Sequence, residues 1–190
     1  MSTLFRILAG MALAVFLFAC DQSPPTVMQY NKHGASFSYY SDWTIMDTPS
    51  SPEKAKFPTI EIDGPDNAVL VLVTLAEGTS LSLEDFARNL TKSRRKELRK
   101  DLSVGSIQTT EVSQQDSRPV TMQVAGKLNE GIEQPFSIEL LGVKVPHHAK
   151  IFAVDGAGRR VFAMTQVPDE DAAKSEAGFK LVLDSISLAR

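Results

Sequence analysis

The sequence predicts an α+β domain, an antiparallel sheet of about six to eight strands packed against helices, preceded by a signal peptide. Three observations carry that expectation. Strand-like segments follow one another between residues 104 and 167, separated by short turn clusters. Helical spacing of apolar residues occurs in two places, after Ser82 and after Pro168. A continuous valine-rich run at residues 68–75 is short enough for a strand and apolar enough to be buried on both faces.

At the start of the chain, Arg6 is the sole charge before an apolar run over residues 7–19, and Ala19 precedes Cys20, the only cysteine. A membrane-spanning helix needs about 20 apolar residues, and this run is shorter. A short basic region, an apolar stretch and a small residue at the cut are the marks of a cleaved secretory signal. Leu17, Ala19 and Cys20 resemble the processing site of bacterial lipoproteins, Phe18 being bulkier than usual there. Lipidation of Cys20 is the leading expectation, ahead of an ordinary cleaved signal and of an uncleaved anchor. A thiolate is the nucleophile suited to taking a diacylglyceryl group. Each buried methylene then contributes about 0.8 kcal/mol, so several acyl chains hold what one would release. Asp21 resembles the inner-membrane retention signal of enteric-type envelopes.

The expected division is therefore a signal peptide at 1–19, a lipidated tether at 20–25 and one α+β domain at 26–190. Loss of Arg6 with the signal leaves 19 basic and 23 acidic residues, a formal charge of −4, which does not suggest nucleic-acid binding. With Cys20 committed to lipid, no cysteine remains for a disulfide in an oxidising compartment.

Residues 26–30 and 35–40 read as strands around Asn31-Lys32-His33-Gly34, with Phe37 and Tyr39 on one face. Trp43, the only tryptophan, is expected as a core anchor in a strand at 43–46. Residues 47–56, with Pro49 and Pro52, read as a surface loop. A strand at 57–63 leads through Gly64-Pro65-Asp66-Asn67 into the run at 68–75, expected to be the central strand. Ser82 with Asp85 forms a capping-box-like start, and Leu83, Phe86, Ala87 and Leu90 recur at helical spacing to about residue 100. The second half of that helix carries Lys92, Arg94, Arg95, Lys96, Arg99 and Lys100 with only Glu97 to offset them. Arg94 falls on the apolar stripe and is expected to snorkel.

Further strands are expected at 104–115, 118–128, 132–145, 148–154 and 160–167, with hairpins at Asp116-Ser117, Asn129-Glu130-Gly131 and Asp155-Gly156-Ala157-Gly158. Pro168 and the acids at 169–171 open a last helix, packed through Ala172, Ala173, Phe179, Val182, Leu183 and Ile186.

Local signatures of catalysis are lacking: no nucleophile elbow, P-loop, zinc-protease helix or calcium loop occurs. His147 and His148 are neighbours on a strand and so point to opposite faces, poorly placed to share a metal, with His33 the only other histidine. Gly156-Ala157-Gly158 lacks the third glycine and the helix of a dinucleotide loop. Asn89-Leu90-Thr91 is a sequon by chance in a helical, bacterial setting. No catalytic residue, metal ligand or cofactor is assigned. The basic end of the first helix reads first as a solvated face that suits the helix dipole, and second as a contact for anionic headgroups or an acidic partner.

The signal with Cys20 and Asp21, the stretch Phe37-Ser38-Tyr39-Tyr40-Ser41-Asp42-Trp43, the run at 68–75, the helix from Leu83, Met164-Thr165 leading to Pro168-Asp169-Glu170-Asp171, and Leu183-Asp184-Ser185-Ile186 together resemble DcrB-type bacterial lipoproteins of the PsbP-like fold. That resemblance implies a central antiparallel sheet packed against helices, and a non-enzymatic accessory or binding role in the envelope, linked in the DcrB group to envelope upkeep and phage adsorption. It supplies no catalytic residues, and the metal-binding residues of some photosynthetic relatives have no match here. The expectation is a periplasmic lipoprotein held on the inner membrane, the outer membrane being the alternative, through lipidated (palmitate-bearing) Cys20, with an envelope protein as partner and no nucleic acid. The rival is a small-ligand binder or an envelope enzyme with dispersed residues, its pocket near the 47–56 loop.

Overall fold

The computed structural model describes residues 24–48, 58–75, 79–101, 110–140 and 142–189; of the side chains at 47–48, 93–101, 110–111 and 140 nothing is said. The signal, Cys20, most of the 47–56 loop, the start of the 104–115 strand and the side chains of Arg94, Arg95, Lys96, Arg99 and Lys100 lie outside the described residues.

Eleven strands are present among the described residues: β1 (Val27–Lys32), β2 (Ala35–Tyr40), β3 (Thr44–Thr48), β4 (Thr59–Asp63), β5 (Val69–Thr74), β6 (Thr110–Gln114), β7 (Arg118–Val124), β8 (Lys127–Leu140), β9 (Val143–Gly156), β10 (Arg159–Pro168) and β11 (Ser187–Leu188). Helix α1 spans Leu83–Asp101, and α2 spans Ala172–Ser185 after a short 3₁₀ turn at Asp169–Asp171. Eight strands form one sheet in the order β3-β4-β5-β10-β9-β8-β6, with β7 also paired to β8, while β1, β2 and β11 form a second sheet. Every pairing is antiparallel. The α+β architecture is as expected, and the small second sheet is an addition to it.

The two faces of the large sheet are covered by different elements, because successive side chains of a strand point opposite ways. One face buries Leu70, Leu72, Phe152, Val161 and Ala163 with Trp43, with Phe179, Val182 and Leu183 of α2, and with Tyr30 and Phe37 of the small sheet. On the other, Phe136, Ile151, Phe162 and Met164 pack with Phe86 and Ala87 of α1. Strand β5 serves both faces, since Leu70 and Leu72 belong to the first core while Val71 and Val73 pack on the second. It is interior but not central: β10 and β9 hold the middle of the sheet, where β10 is almost wholly buried.

Local chemistry sets the element ends. At the start of α1, the Asp85 amide donates to Ser82 Oγ at 3.0 Å and the Phe86 amide to the Ser82 carbonyl at 3.0 Å, so the expected cap is formed. Phe86 then stacks on Phe162, ring centroids 4.2 Å apart, and seats the helix on the sheet. Trp43 is 5% exposed and meets Phe179 edge-on, with centroids 5.4 Å apart. A side chain on Gly178 would collide with its indole, and one on Gly64 would come within 2.8 Å of it. The two glycines form the slot that holds the ring.

Three expectations about turns need correction. Strands β6 and β7 do not form a hairpin through Asp116-Ser117; both pair with β8, over different stretches of it. Asn129-Glu130-Gly131 is no turn but lies inside β8, where Gly131 faces Phe152. A Cβ on Gly131 would stand 2.5 Å from the Phe152 ring and 2.6 Å from the Ile151 carbonyl oxygen, so the glycine admits a ring instead of bending the chain. The turn is at Ala125-Gly126, where both φ angles are positive, 53° and 70°. Ala157-Gly158 repeats that geometry at 53° and 75°, as does His33-Gly34 at 55° and 76°. This is the turn whose twist suits a two-residue hairpin, and it demands glycine second. The expected strand at 132–145 is likewise interrupted, because β8 ends at Leu140 and β9 starts at Val143, past Gly142 with φ of 80°.

Candidate functional site

Glu84, Ala87, Arg88, Thr91 and Lys92 recur along α1 at spacings of three and four, so they form one stripe of the helix. This stripe faces Gln114 at the end of β6, Ser117 in the link to β7, and Ile132 and Gln134 of β8. Between them lies a groove of about 400 Å³, within the roughly 300–1,000 Å³ usual for small-molecule sites. One wall is the helix and the other is the outer strands of the sheet with the link between them.

Hydrogen bonding fixes three of the polar side chains in this groove, Arg88, Thr91 and Gln134. Gln134, 3% exposed, donates its Nε2 to the Ala87 carbonyl at 3.1 Å, and Thr91 Oγ1 donates to the same oxygen at 3.2 Å. Gln134 thus ties β8 to the helix. Gln114 is different: its Oε1 is buried, and no donor among the described residues reaches it. An acceptor buried without a partner costs about 1–3 kcal/mol. Arg88 is engaged by Asp85, with Nη1 to Oδ1 at 2.9 Å. Glu84 and Lys92 are exposed at the two ends of the stripe.

Of the basic residues singled out in the sequence, Lys92 therefore joins the groove. The helix backbone carries Arg94, Arg95, Lys96, Arg99 and Lys100 in the last turns of α1. Sequence reasoning missed Gln114 and Gln134. The available signal was a break in alternation: Ile132, Phe136 and Ile138 lie on one face of β8, and Gln134 puts an amide between them on that same face.

The histidines stand apart from the groove. His147 stacks on Phe136 with centroids 5.2 Å apart and places Nδ1 3.0 Å from the Val145 carbonyl, whereas His148 places Nδ1 2.9 Å from Asp169 Oδ1. They occupy opposite faces, as their adjacency requires. Among the described residues, no group of three or more His, Cys, Asp or Glu is arranged to hold a metal ion. Near His148, Arg118 Nε donates to Glu133 Oε2 at 2.7 Å across β7 and β8. That hydrogen bond holds the Glu133 carboxyl below its ordinary range against the opposing effect of burial, with the charges of Arg118, Lys150 and His148 helping, and raises the Arg118 guanidinium.

A group whose folded value is depressed stabilises the fold above its unfolded value, and that stabilisation is lost as pH falls through the folded value. The thermal midpoint of the protein should therefore drop as pH is lowered below 4.5, the ordinary value for this carboxyl. Glu133→Gln should give a shallower drop in the same scan; an unchanged profile would remove Glu133 from the acid response.

No protein-family model matches the chain, and no curated protein matches it in sequence. Among solved structures it is similar to the solution structure of cyanobacterial PsbP (CyanoP) from Synechocystis sp. PCC 6803, at 15% identity over 90% of this chain and 98% of that one, with a TM-score of 0.49. It is also similar to LpqN, involved in cell envelope biogenesis of Mycobacterium tuberculosis, at 12% identity over 87% of this chain and 90% of that one, with a TM-score of 0.38.

Proposed function

We propose that the protein is a membrane-tethered envelope lipoprotein, acting as a non-enzymatic accessory or binding module in envelope upkeep, with phage adsorption as a further role. The observation that carries this reading is Cys20 at the close of the apolar run at 7–19, only a few residues before β1 begins at Val27. Extended chain spans at most about 3.6 Å per residue, so residues 20–26 hold the start of β1 within about 25 Å of a bilayer. Thr26 is fastened to the fold there: its amide donates to Ser41 Oγ at 3.0 Å, and the Ser41 amide donates to its carbonyl at 2.8 Å. Among the described residues no helix is long and apolar enough to cross a membrane. The anchor in this reading is acyl chains on Cys20, on the periplasmic side of the inner membrane, with an envelope protein as partner.

Cells fed radiolabelled palmitate should incorporate label into the wild-type protein and none into Cys20→Ala, with the wild type recovered in the inner-membrane fraction. An unlabelled wild-type protein would overturn the reading.

In the same picture the basic end of α1 contacts anionic headgroups, each basic residue contributing on the order of 1 kcal/mol near a charged surface. Reversing Arg95, Lys96 and Arg99 to glutamate in the Cys20→Ala chain should weaken sedimentation with phosphatidylglycerol vesicles at least about tenfold. Unchanged sedimentation would leave those residues as a solvated helix face.

A further inference from the structure

We propose that the groove between α1 and the β6–β8 edge binds a short free peptide of about three residues in its zwitterionic form, a site independent of the membrane anchor. The first ground is electrical polarity. Glu84 and Lys92 are eight positions apart on one stripe of α1, which sets them about 12 Å apart along the axis at 1.5 Å per residue. Neither pairs with an opposite charge among the described residues, while Arg88 between them is matched by Asp85. The groove is thus negative at one end and positive at the other.

An extended peptide of three residues covers about 10–11 Å between its ends. Its α-ammonium and carboxylate match that polarity and that span in a single orientation, ammonium toward Glu84 and carboxylate toward Lys92. The second ground is Gln114, whose side chain lines the same groove and whose buried Oε1 is an acceptor without a donor among the described residues. A peptide supplies a backbone N–H between its charged ends, which is the group this oxygen lacks. Ala87 and Ile132 give the lining its apolar part and leave room for small side chains. A simple anion would satisfy Lys92 and leave both Glu84 and Gln114 unanswered; a simple cation would do the reverse.

Trialanine is the probe, titrated calorimetrically into the purified full-length chain at pH 7 beside N-acetyl-trialanine and trialanine amide. Saturable binding of trialanine is expected, weakened at least about fivefold by blocking either end, and Gln114→Leu should lower the affinity about tenfold, the ratio equivalent to one hydrogen bond near 1.4 kcal/mol. Lys92→Glu should reduce trialanine binding without reducing that of trialanine amide, which has no carboxylate to lose a partner. Lys92 is exposed, so that variant decides the matter if Gln114→Leu proves misfolded by circular dichroism. Absence of saturable heat at millimolar peptide, equal binding of the blocked forms, or full affinity in Lys92→Glu would each overturn the proposal.

Discussion

Trp43→Ala should cost the protein about 3–5 kcal/mol, the range for deleting a large buried aromatic. Chemical denaturation should show this as a lowered midpoint with an unchanged slope. The loss should sit at the high end because the ring is bordered by Gly64 and Gly178, which have no side chains to relax into the space. The reciprocal variant is as informative. In a helix interior, glycine to alanine gains up to about 1 kcal/mol of propensity. Gly178→Ala should nevertheless destabilise by about 1–3 kcal/mol, since the new methyl collides with the indole. In the Trp43→Ala background the collision is gone, and Gly178→Ala should turn stabilising. That change of sign in a double-mutant cycle tests the slot directly; additive losses would mean that Trp43 and Gly178 do not meet.

Gly131→Val carries the second large expected effect. Valine favours strands, so local preference alone predicts a gain in β8. A loss of about 3 kcal/mol is expected instead, because the added carbon meets both the Phe152 ring and the Ile151 carbonyl oxygen, and the latter belongs to a backbone held by its ladder. A thermal midpoint within error of wild type would show that β8 and β9 are not packed in this way.

Gly64, Gly178 and Gly131 mark where the sequence was and was not legible. Trp43 could be placed in the core from its size and its solitary occurrence, and α1 from Ser82 and the apolar spacing that follows. The partners of Trp43 could not be placed, since Gly64 and Gly178 lie far from it along the chain and from each other. Gly131 misled for a related reason. Asn129-Glu130-Gly131 has turn chemistry, and only the register with Phe152 reveals that the glycine answers a ring on another strand. The true turn at Ala125-Gly126 was hidden because alanine is a poor advertisement for a positive φ.

The same logic governs the groove. Lys92 was visible as charge, and the helical spacing of Glu84, Arg88 and Lys92 was countable. Gln114 and Gln134 become neighbours of that stripe only through the pairing of β6 with β8, which passes over β7 in sequence. Composition could report two polar residues on strands; it could not report that one would have its amide bound to a helix carbonyl and the other an unanswered oxygen.

The small sheet has a consequence for the order in which the fold is assembled. Its first two strands open the described chain, yet β2 is completed by β11: Ser187 and Leu188 pair with Ser36 and Ala35, Ala189 donates its amide to the Gly34 carbonyl, and the Ser38 amide donates to Ser185 Oγ across 147 positions of sequence. A chain delivered from its N-terminus presents the β1–β2 ribbon long before the residues that finish it exist, and a lone two-stranded ribbon is marginal in water. Residues 185–189, which emerge long after β2, therefore act as a latch. Until they arrive, Tyr30 and Phe37 lack the lid supplied by α2 and Ile186, and the ribbon nearest the proposed anchor is the part left waiting for a chaperone or for that later segment.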